Sequence, residues 1–438
     1  MGAIYLFLLI LSILFIGPFF FAFLSSIKDD PLEWPPKLSI NQFKFKNLAA
    51  AYQLGRAGGG GGFFGEFTPG ARIPFEVTYK VEPGQEPSVP EVAIPRRVSG
   101  YAAAALQVKH WAADNTTVSK VREAGRKVLE DGSTLVTYRF EIAHTGKASV
   151  DRLPLDITVP HGQLFVNATL EPNRIERLGR VQSWNNLTSG VVPYVFYSYH
   201  RAFRENYSRS TGKSLFLSWI GNSFYFATVR VVTTLLLASM AGYALARLRF
   251  RGRRSIFLFM LFSMMIPAQV TFISNYLVLR DGLFGFTKLF GVPTLLNTYT
   301  GLILTDLVAA GKVFIMKQFF EGLPASLDEA ARIDGASAYQ IFFRVLLPQI
   351  QPALAAVAIL TFQGAWNEFF WPLVVLTSPM DKFPLTVGLL SFRHTYGVAF
   401  DWGPMLAGAF VSAAPIIILF IVFQKYFVEG ISTTGIKG

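Results

Sequence analysis

Six stretches of this chain are apolar over enough residues to cross a lipid bilayer, and nothing else in it constrains the fold as strongly. About 20 helical residues span the roughly 30 Å of bilayer hydrocarbon. The windows are Ala3–Ile27, with Gly17 and Pro18; Phe224–Leu245; Ile256–Leu279, interrupted by Pro267; Tyr299–Phe319, carrying Asp306 and Lys312; Ala353–Leu376; and Met405–Phe427, with Pro415. Prolines are tolerated in such helices because neighbouring helices satisfy the freed backbone groups. Composition agrees: 52% of the residues are hydrophobic and 16% charged, against about a quarter charged in a soluble domain. The first window lacks a basic leader and is longer than a signal sequence needs, so we read it as an uncleaved span.

Basic residues set the orientation. "RLRFRGRR", residues 247–254, puts five arginines between the second and third windows, which predicts a cytoplasmic loop there. Both termini and the loop after the fourth span then also face the cytoplasm. The net charge of +12 is thus largely a topological signal. A nucleic-acid surface needs an exposed basic face with stacking aromatics, which so short a loop does not offer. The chain has no cysteine, so thiol catalysis and cysteine-ligated metals are excluded; five histidines and no HExxH give no basis for a histidine-built metal site. No cofactor is expected.

Residues 28–213 differ in kind and fall on the outer side: an outer loop over 28–57, then a β-rich insertion over 58–213. The run "GGGGG" at 58–62 reads as a flexible hinge. In "TLVTYRFEI" (134–142), Val136, Tyr138, Phe140 and Ile142 alternate with polar residues, the pattern of a strand with one wet face, and "EDGS" before it reads as a hairpin turn around Gly132. "PFEVTYKV", "LDITV", "QLFVNATL" and "YVFYSYH" are further strand candidates. A β-sandwich between about Phe67 and Arg204 follows. The stretch from Tyr138 to Pro172 weakly resembles the immunoglobulin-like repeats of bacterial surface proteins. "STGKS" at 210–214 is not a phosphate loop: Tyr207 stands where the first glycine belongs, and no strand precedes it.

The cytoplasmic stretch "SLDEAARIDGASAYQIFFRVLLPQIQP" (326–352) interrupts the apolar pattern. Ser326 and Glu329 fit a capping box after Pro324, with acids in the first turn where the helix dipole favours them. Gly335 breaks this helix. A second follows, with Ile341, Phe342, Val345 and Leu346 available to bury, and Leu347-Pro348 is expected to end it. The result is a bent handle shaped for a partner's groove, whereas a helix lying on lipid would favour Lys and Arg over Asp328 and Glu329.

"EAARIDGASAYQIFFRVLLP" resembles the EAA loop of ABC importer permeases, through Glu329, Ala330, Ala331, Gly335, Leu347 and Pro348, with Val345 where isoleucine is usual. "YALARLRFRGRR", "MMIPAQV", "AWNEFFWPLVVLT" and the tail "FQKYFVEGISTTGIKG" resemble the carbohydrate, maltose/maltodextrin-type branch. The likeness covers Phe15–Leu54 and about Ser214 to the end; the β-rich insertion and "GFTKLFGVPT" (285–294) depart from it. The likeness implies an α-helical polytopic membrane protein, which the apolar windows make one of six transmembrane helices, and the period-two pattern of the insertion adds an extracytoplasmic all-β domain of immunoglobulin-like sandwich type. The permease core is then the first helix at 1–27 plus five helices in 214–438. Loop 326–348 couples the core to a separate ATPase, with Glu329, Ala330, Ala331, Asp334, Gly335, Leu347 and Pro348 as the contact and bend. The implied partners are a second homologous permease subunit, two ATPase subunits, an extracytoplasmic solute-binding protein and membrane lipid, with no nucleic acid. The chain itself is a transport subunit, not an enzyme, and sugars or oligosaccharides are the implied solutes.

Ionisable groups within spans are costly and default to function. Asp306 and Lys312 are about 240° apart around a helix, at roughly 100° per residue, so they do not share a face. Asp306 either faces a wet cavity or pairs with another helix. Gln363, Trp366, Asn367 and Glu368, with Trp371, offer the rings, amides and acid that a sugar path uses; packing and an interfacial aromatic belt are the alternative. An ion-coupled secondary transporter or channel, which predicts inverted repeats, and a membrane-anchored surface-binding protein are the rival readings.

Overall fold

The computed structural model describes residues 2–28, 40–94, 116–150, 153, 155–171, 181–184, 187, 189–204, 206–208, 210–282, 291, 293–393 and 402–432. The chain divides into two compact units, Met1–Ser214 with Leu389–Val411, and Leu215–Gly388 with Ser412–Gly438. The weak immunoglobulin-like stretch and the "GFTKLFGVPT" segment lie partly outside the described residues.

The first unit opens with helix α1 (Gly2–Ile27), followed by α2 (Phe45–Ala57). Strands β1 (Arg72–Val81), β2 (Val92–Ala93), β3 (Thr116–Val118), β4 (Arg122–Val128), β5 (Thr134–His144), β6 (Leu155–Thr158), β7 (Gln163–Ala168) and β8 (Val181–Trp184) come next, then helices α3 (Val191–Val195) and α4 (Tyr197–Arg204). All pairing among the described strands is antiparallel. In one sheet β5 lies between β1 and the pair β3 and β4, with β7 on the far side of β1; the other sheet runs β2-β6-β8. Period two decides what each strand buries. From β1, Ile73, Phe75, Val77, Tyr79 and Val81 point inward, and from β5 Val136, Tyr138, Phe140 and Ile142 do. The register sets Phe75 opposite Phe140 and Val77 opposite Tyr138. Leu155 and Ile157 of the second sheet share this core, and so do Ala51 and Leu54 of α2, Tyr194 of α3 and Ile27 at the end of α1. The hairpin at 130–133 is present, with Gly132 at φ +76°, the left-handed region that glycine enters freely.

Two expectations fail here. "YVFYSYH" is helical, not a strand, because Tyr194, Tyr197 and Ser198 form the buried side of α3 and α4; three-to-four spacing overrides aromatic strand propensity. The glycine run is a packed turn and not a flexible hinge. A Cβ on Gly60 would sit 2.3 Å from the Glu66 backbone nitrogen, and one on Gly62 would sit 2.0 Å from the Tyr52 ring. These glycines are there because the chain folds back on itself with no room for side chains. Gly60→Ala is therefore expected to destabilise this unit by about 2 kcal/mol, the usual scale of overpacking. Gly70→Ala, at φ +83° in open space, costs only the backbone strain, about 1 kcal/mol. Protease resistance of the β-rich unit reads the difference, and equal behaviour of the two variants would refute the packed turn.

The second unit holds α5 (Leu215–Arg247), α6 (Arg253–Ser263), α7 (Ala268–Asp281), α8 (Tyr299–Leu304), α9 (Ala310–Gly322), α10 (Ala325–Ile333), α11 (Ala338–Gln340), α12 (Gln351–Asn367), α13 (Phe370–Val375) and α14 (Leu385–Phe392). The last helix, α15 (Gly403–Ser432), contains Pro415. Among the described residues four helical stretches are long and apolar enough to cross a membrane: Ile4–Ile27, Leu215–Arg247, Ala338–Asn367 and Gly403–Phe423. Most apolar side chains of α1 are exposed, a surface that lipid or a protein neighbour must cover.

The third and fourth expected spans are broken, and the fifth is shifted. The third splits into α6 and α7 at Met264–Pro267, where proline lacks the N–H to continue the ladder. The fourth splits into α8 and α9 around Asp306. The fifth begins earlier than expected and breaks at Glu368-Phe369, before α13.

Candidate functional sites: a bent loop and a charged break

The bend at 334–337 is built from two capping devices in succession. α10 ends with Gly335 at φ +79°. The Gly335 N–H donates to the Arg332 carbonyl at 3.0 Å and the Ala336 N–H to that of Ala331 at 2.9 Å. This is the Schellman pattern, in which a left-handed residue satisfies the last helical carbonyls. Ser337 then caps the next helix: its hydroxyl accepts from the Gln340 N–H at 3.4 Å, while the Gln340 side chain accepts from the Ser337 N–H at 2.8 Å. The capping box expected at Ser326 and Glu329 is therefore elsewhere. The N-cap of α10 is two residues earlier, at Pro324, with no side-chain cap. The true signal, Ser337 followed three residues later by Gln340, was present in the sequence and passed over.

Beyond the bend the chain does not stop at Leu347-Pro348. It continues from α11 through a π-type turn (Ile341–Leu346) and a 3-10 turn (Leu347–Ile350) into α12. Proline clashes with the carbonyl four residues back in a regular helix, and the shifted hydrogen bonding over 341–350 absorbs it. Ile341, Phe342 and Leu346 are buried beside Tyr243 and Phe320, with the Phe342 ring 5.2 Å from Tyr243.

The outward side of the bend is different. Glu329, Ala330, Arg332, Asp334 and Gly335 are exposed, and Ile333 and Tyr339 are exposed by 86% and 71%. Two large apolar groups at a charged helix tip have nothing in this unit to cover them. Ala331 instead faces inward at 8% exposure, Leu347 is half-buried and Pro348 exposed.

The inward side is pinned by Arg247, the last residue of α5. Its guanidinium donates to the carbonyls of Phe320 and Leu323, which end α9, and lies 3.3 Å from the Asp328 carboxylate in the first turn of α10. Asp328 is nearly buried, and its other carboxylate oxygen has no hydrogen-bond partner. One arginine thus joins three helices. Arg253 reaches the carbonyls of Ala246 and Leu248 and lies 3.7 Å from Glu321, which Lys317 bonds at 2.7 Å. At least two of the five arginines in "RLRFRGRR" therefore hold the fold together.

The second constellation lies where α8 gives way to α9. Asp306 sits in the non-helical link and forms an ion pair with Arg230 of α5. One turn along α5, the Thr234 hydroxyl donates to the Leu307 carbonyl at 3.3 Å, so α5 satisfies backbone that the break exposes, as a membrane interior requires. The Trp371 ring N–H donates to the Thr305 hydroxyl at 2.6 Å, tying α13 to the same link. Lys312 and Glu368 are near enough to Arg230 to interact with its charge. Four ionisable groups therefore converge here. Arg230 was not singled out in the sequence, although an arginine in the middle of the second apolar window was the available signal.

Gln363 and Asn367 are exposed one turn apart on α12, and Glu368 is half-buried at its end. Trp366 goes elsewhere. It is 2% exposed, its ring stacked on Phe362 and edge-on to Phe224, and its N–H donates to the Ser412 carbonyl at 2.9 Å. Its ring is buried in this packing, which leaves almost no surface for a solute.

Residues 235–433 match the family described as binding-protein-dependent transport system inner membrane component. The chain is 43% identical over 228 residues to the arabinooligosaccharides transport system permease protein AraQ of Halalkalibacterium halodurans, covering 52% of this chain and 77% of that protein. It is 37% identical to the maltose/maltodextrin transport system permease protein MalG of Vibrio vulnificus, over 51% of this chain and 73% of the relative. A solved bacterial ABC transporter involved in import of the acidic polysaccharide alginate aligns at 30% identity with a TM-score of 0.43, over 53% of this chain and 79% of its own. Relatives matched over most of their length leave nearly half of this chain unmatched, as an added β-rich region requires. The rival readings as a self-sufficient ion-coupled transporter and as a surface receptor give way: the chain belongs to the family of binding-protein-dependent transport system inner membrane components and is a permease subunit of an ABC importer, a transport component whose ATPase is a separate polypeptide.

Proposed function

We propose that this subunit imports sugars or oligosaccharides and receives the work of ATP hydrolysis through the bend at 326–348. The observation that supports this most directly is the two-sidedness of that bend. Its outer surface carries Glu329, Ala330, Asp334 and Gly335 with the uncovered Ile333 and Tyr339, while its inner surface is bolted to α5 and α9 through Arg247. ATP-driven closure of two ATPases is a rigid-body motion, and moving membrane helices with it takes a stiff contact. Leu347 and Pro348 carry the chain from that contact into α12.

In this reading six spans cross the inner membrane, with both termini and the bend in the cytoplasm and the β-rich unit outside. A second, homologous permease completes a heterodimer, two ATPase subunits dock inside, and a solute-binding protein docks outside. The solute passes between the two permeases, along Asp306, Gln363, Asn367 and Glu368. The sugar assignment draws on the relatives named for arabinooligosaccharides and maltodextrins.

The absence of native cysteine makes the orientation directly testable. Single cysteines at Ile333 and at Glu130 should be labelled from opposite sides of sealed vesicles by an impermeant maleimide, with Ile333 accessible from the cytoplasmic side only and protected when the ATPase is bound. Labelling of both from one side would overturn the arrangement.

A further inference from the structure

We propose that the β-rich unit carries a preformed pocket for a short saccharide, between the glycine turn and helices α3 and α4. A cavity of about 620 Å³ opens there, within the roughly 300–1,000 Å³ of small-molecule sites. Phe64 and Glu66 stand on one wall, and Phe196, Tyr199, Phe203 and Arg204 on the other.

The walls are fastened to each other. The Val191 N–H donates to the Gly62 carbonyl at 3.2 Å and the Val192 N–H to that of Phe63 at 3.0 Å. Behind them, Tyr194 and Tyr197 are anchored in the unit's interior. Tyr199 is held by a 2.7 Å hydrogen bond between its hydroxyl and that of Ser26, with its ring edge-on to Phe196 at 5.8 Å. The crowded glycines leave the opposite wall no slack. A pocket so braced does not have to be ordered when a ligand arrives, which removes one of the main costs of binding.

Its chemistry selects the ligand. Phe64 is 71% exposed and Phe196 40%, so two large rings present surface to the cavity side of the unit. Glu66 and Arg204 form an ion pair at 3.2 Å, each about half exposed. An apolar ligand would waste the ion pair, and a simple anion would be opposed by Glu66. A neutral polyhydroxylated ring uses both: its C–H faces stack on aromatic rings, and its hydroxyls bond carboxylate and guanidinium together. The choice of saccharide rests on the sugar-import reading above; the existence of a braced aromatic pocket does not. Under the proposed orientation the pocket opens outside the membrane, where it would hold solute apart from the translocation path.

The full chain in lipid nanodiscs should bind at least one of maltotriose, arabinotriose and diacetylchitobiose by saturation-transfer NMR. Phe196→Ala and Arg204→Ala should each weaken that binding about tenfold, a loss of one stacked or charge-assisted contact of about 1.4 kcal/mol, with unfolding midpoints unchanged. Arg126→Ala, on the exposed strand β4, should leave it intact. Binding of none of the three sugars, or binding insensitive to Phe196→Ala and Arg204→Ala, overturns the pocket. Uptake by the reconstituted importer separates the two claims: uptake without binding by this chain removes the pocket alone, and absence of sugar uptake removes the import reading.

Discussion

Asp306→Ala is expected to cost the membrane unit about 2 kcal/mol, below the scale for a fully buried ion pair because Asp306 is itself half exposed. The reason lies in what remains. The Arg230 side chain is 16% exposed, so without Asp306 a nearly buried guanidinium loses its ion-pair partner, while its Nε already has none. Arg230→Ala should cost less, about 1 kcal/mol, because the Asp306 side chain is 46% exposed and can recruit water. The double variant Arg230→Met with Asp306→Leu should recover most of the loss, since replacing both members with apolar groups avoids an unpaired buried charge. Thermal unfolding in mild detergent reads all three. The order is the test: a double variant as unstable as Asp306→Ala would mean that the pair is not what holds the α8–α9 break to α5.

The parts that could be read from the sequence are those governed by a single local rule. Apolar length located α1, α5 and α15, and strict alternation located β1 and β5 with their buried faces. Gly335 was legible as a bend because only glycine enters the left-handed region without strain. The failures are places where a distant contact decides. Nothing local marks Gly60 and Gly62 as packed, since the atoms they avoid belong to Glu66 and Tyr52. The break at Asp306 was invisible to hydropathy because Arg230, Thr234 and Trp371, which hold it, lie far from it in sequence. Trp366 looked like a solute contact by residue type and became packing through Phe224 and Ser412. Glu329, Ala330 and Gly335, the residues proposed to couple, were picked out by a motif. Arg247, which fixes their angle to the membrane helices, was read only as a charge.

Gly335→Pro and Glu329→Lys should abolish uptake while leaving the chain in the membrane at wild-type levels. Proline fixes φ near −65° and removes the backbone donor, whereas Gly335 sits at φ +79° and donates to Arg332. The Schellman turn is lost, and α10 swings relative to Arg247. Gly335→Ala separates bending from bulk: an added Cβ meets nothing within 4 Å, so the cost is only the left-handed strain of about 1–2 kcal/mol, and transport should fall modestly. Glu329 is exposed and makes no part of the fold's interior, so reversing its charge should act on the docked ATPase alone. A misfit of about 3 kcal/mol at that contact corresponds to roughly a hundredfold loss of coupled transport. In reconstituted complexes, solute-stimulated ATP hydrolysis should fall with uptake for both variants, while the Asp328–Arg247 clamp keeps the unfolding midpoint of Glu329→Lys unchanged. Normal uptake by Gly335→Pro and Glu329→Lys together would mean that the force enters this subunit somewhere other than the bend.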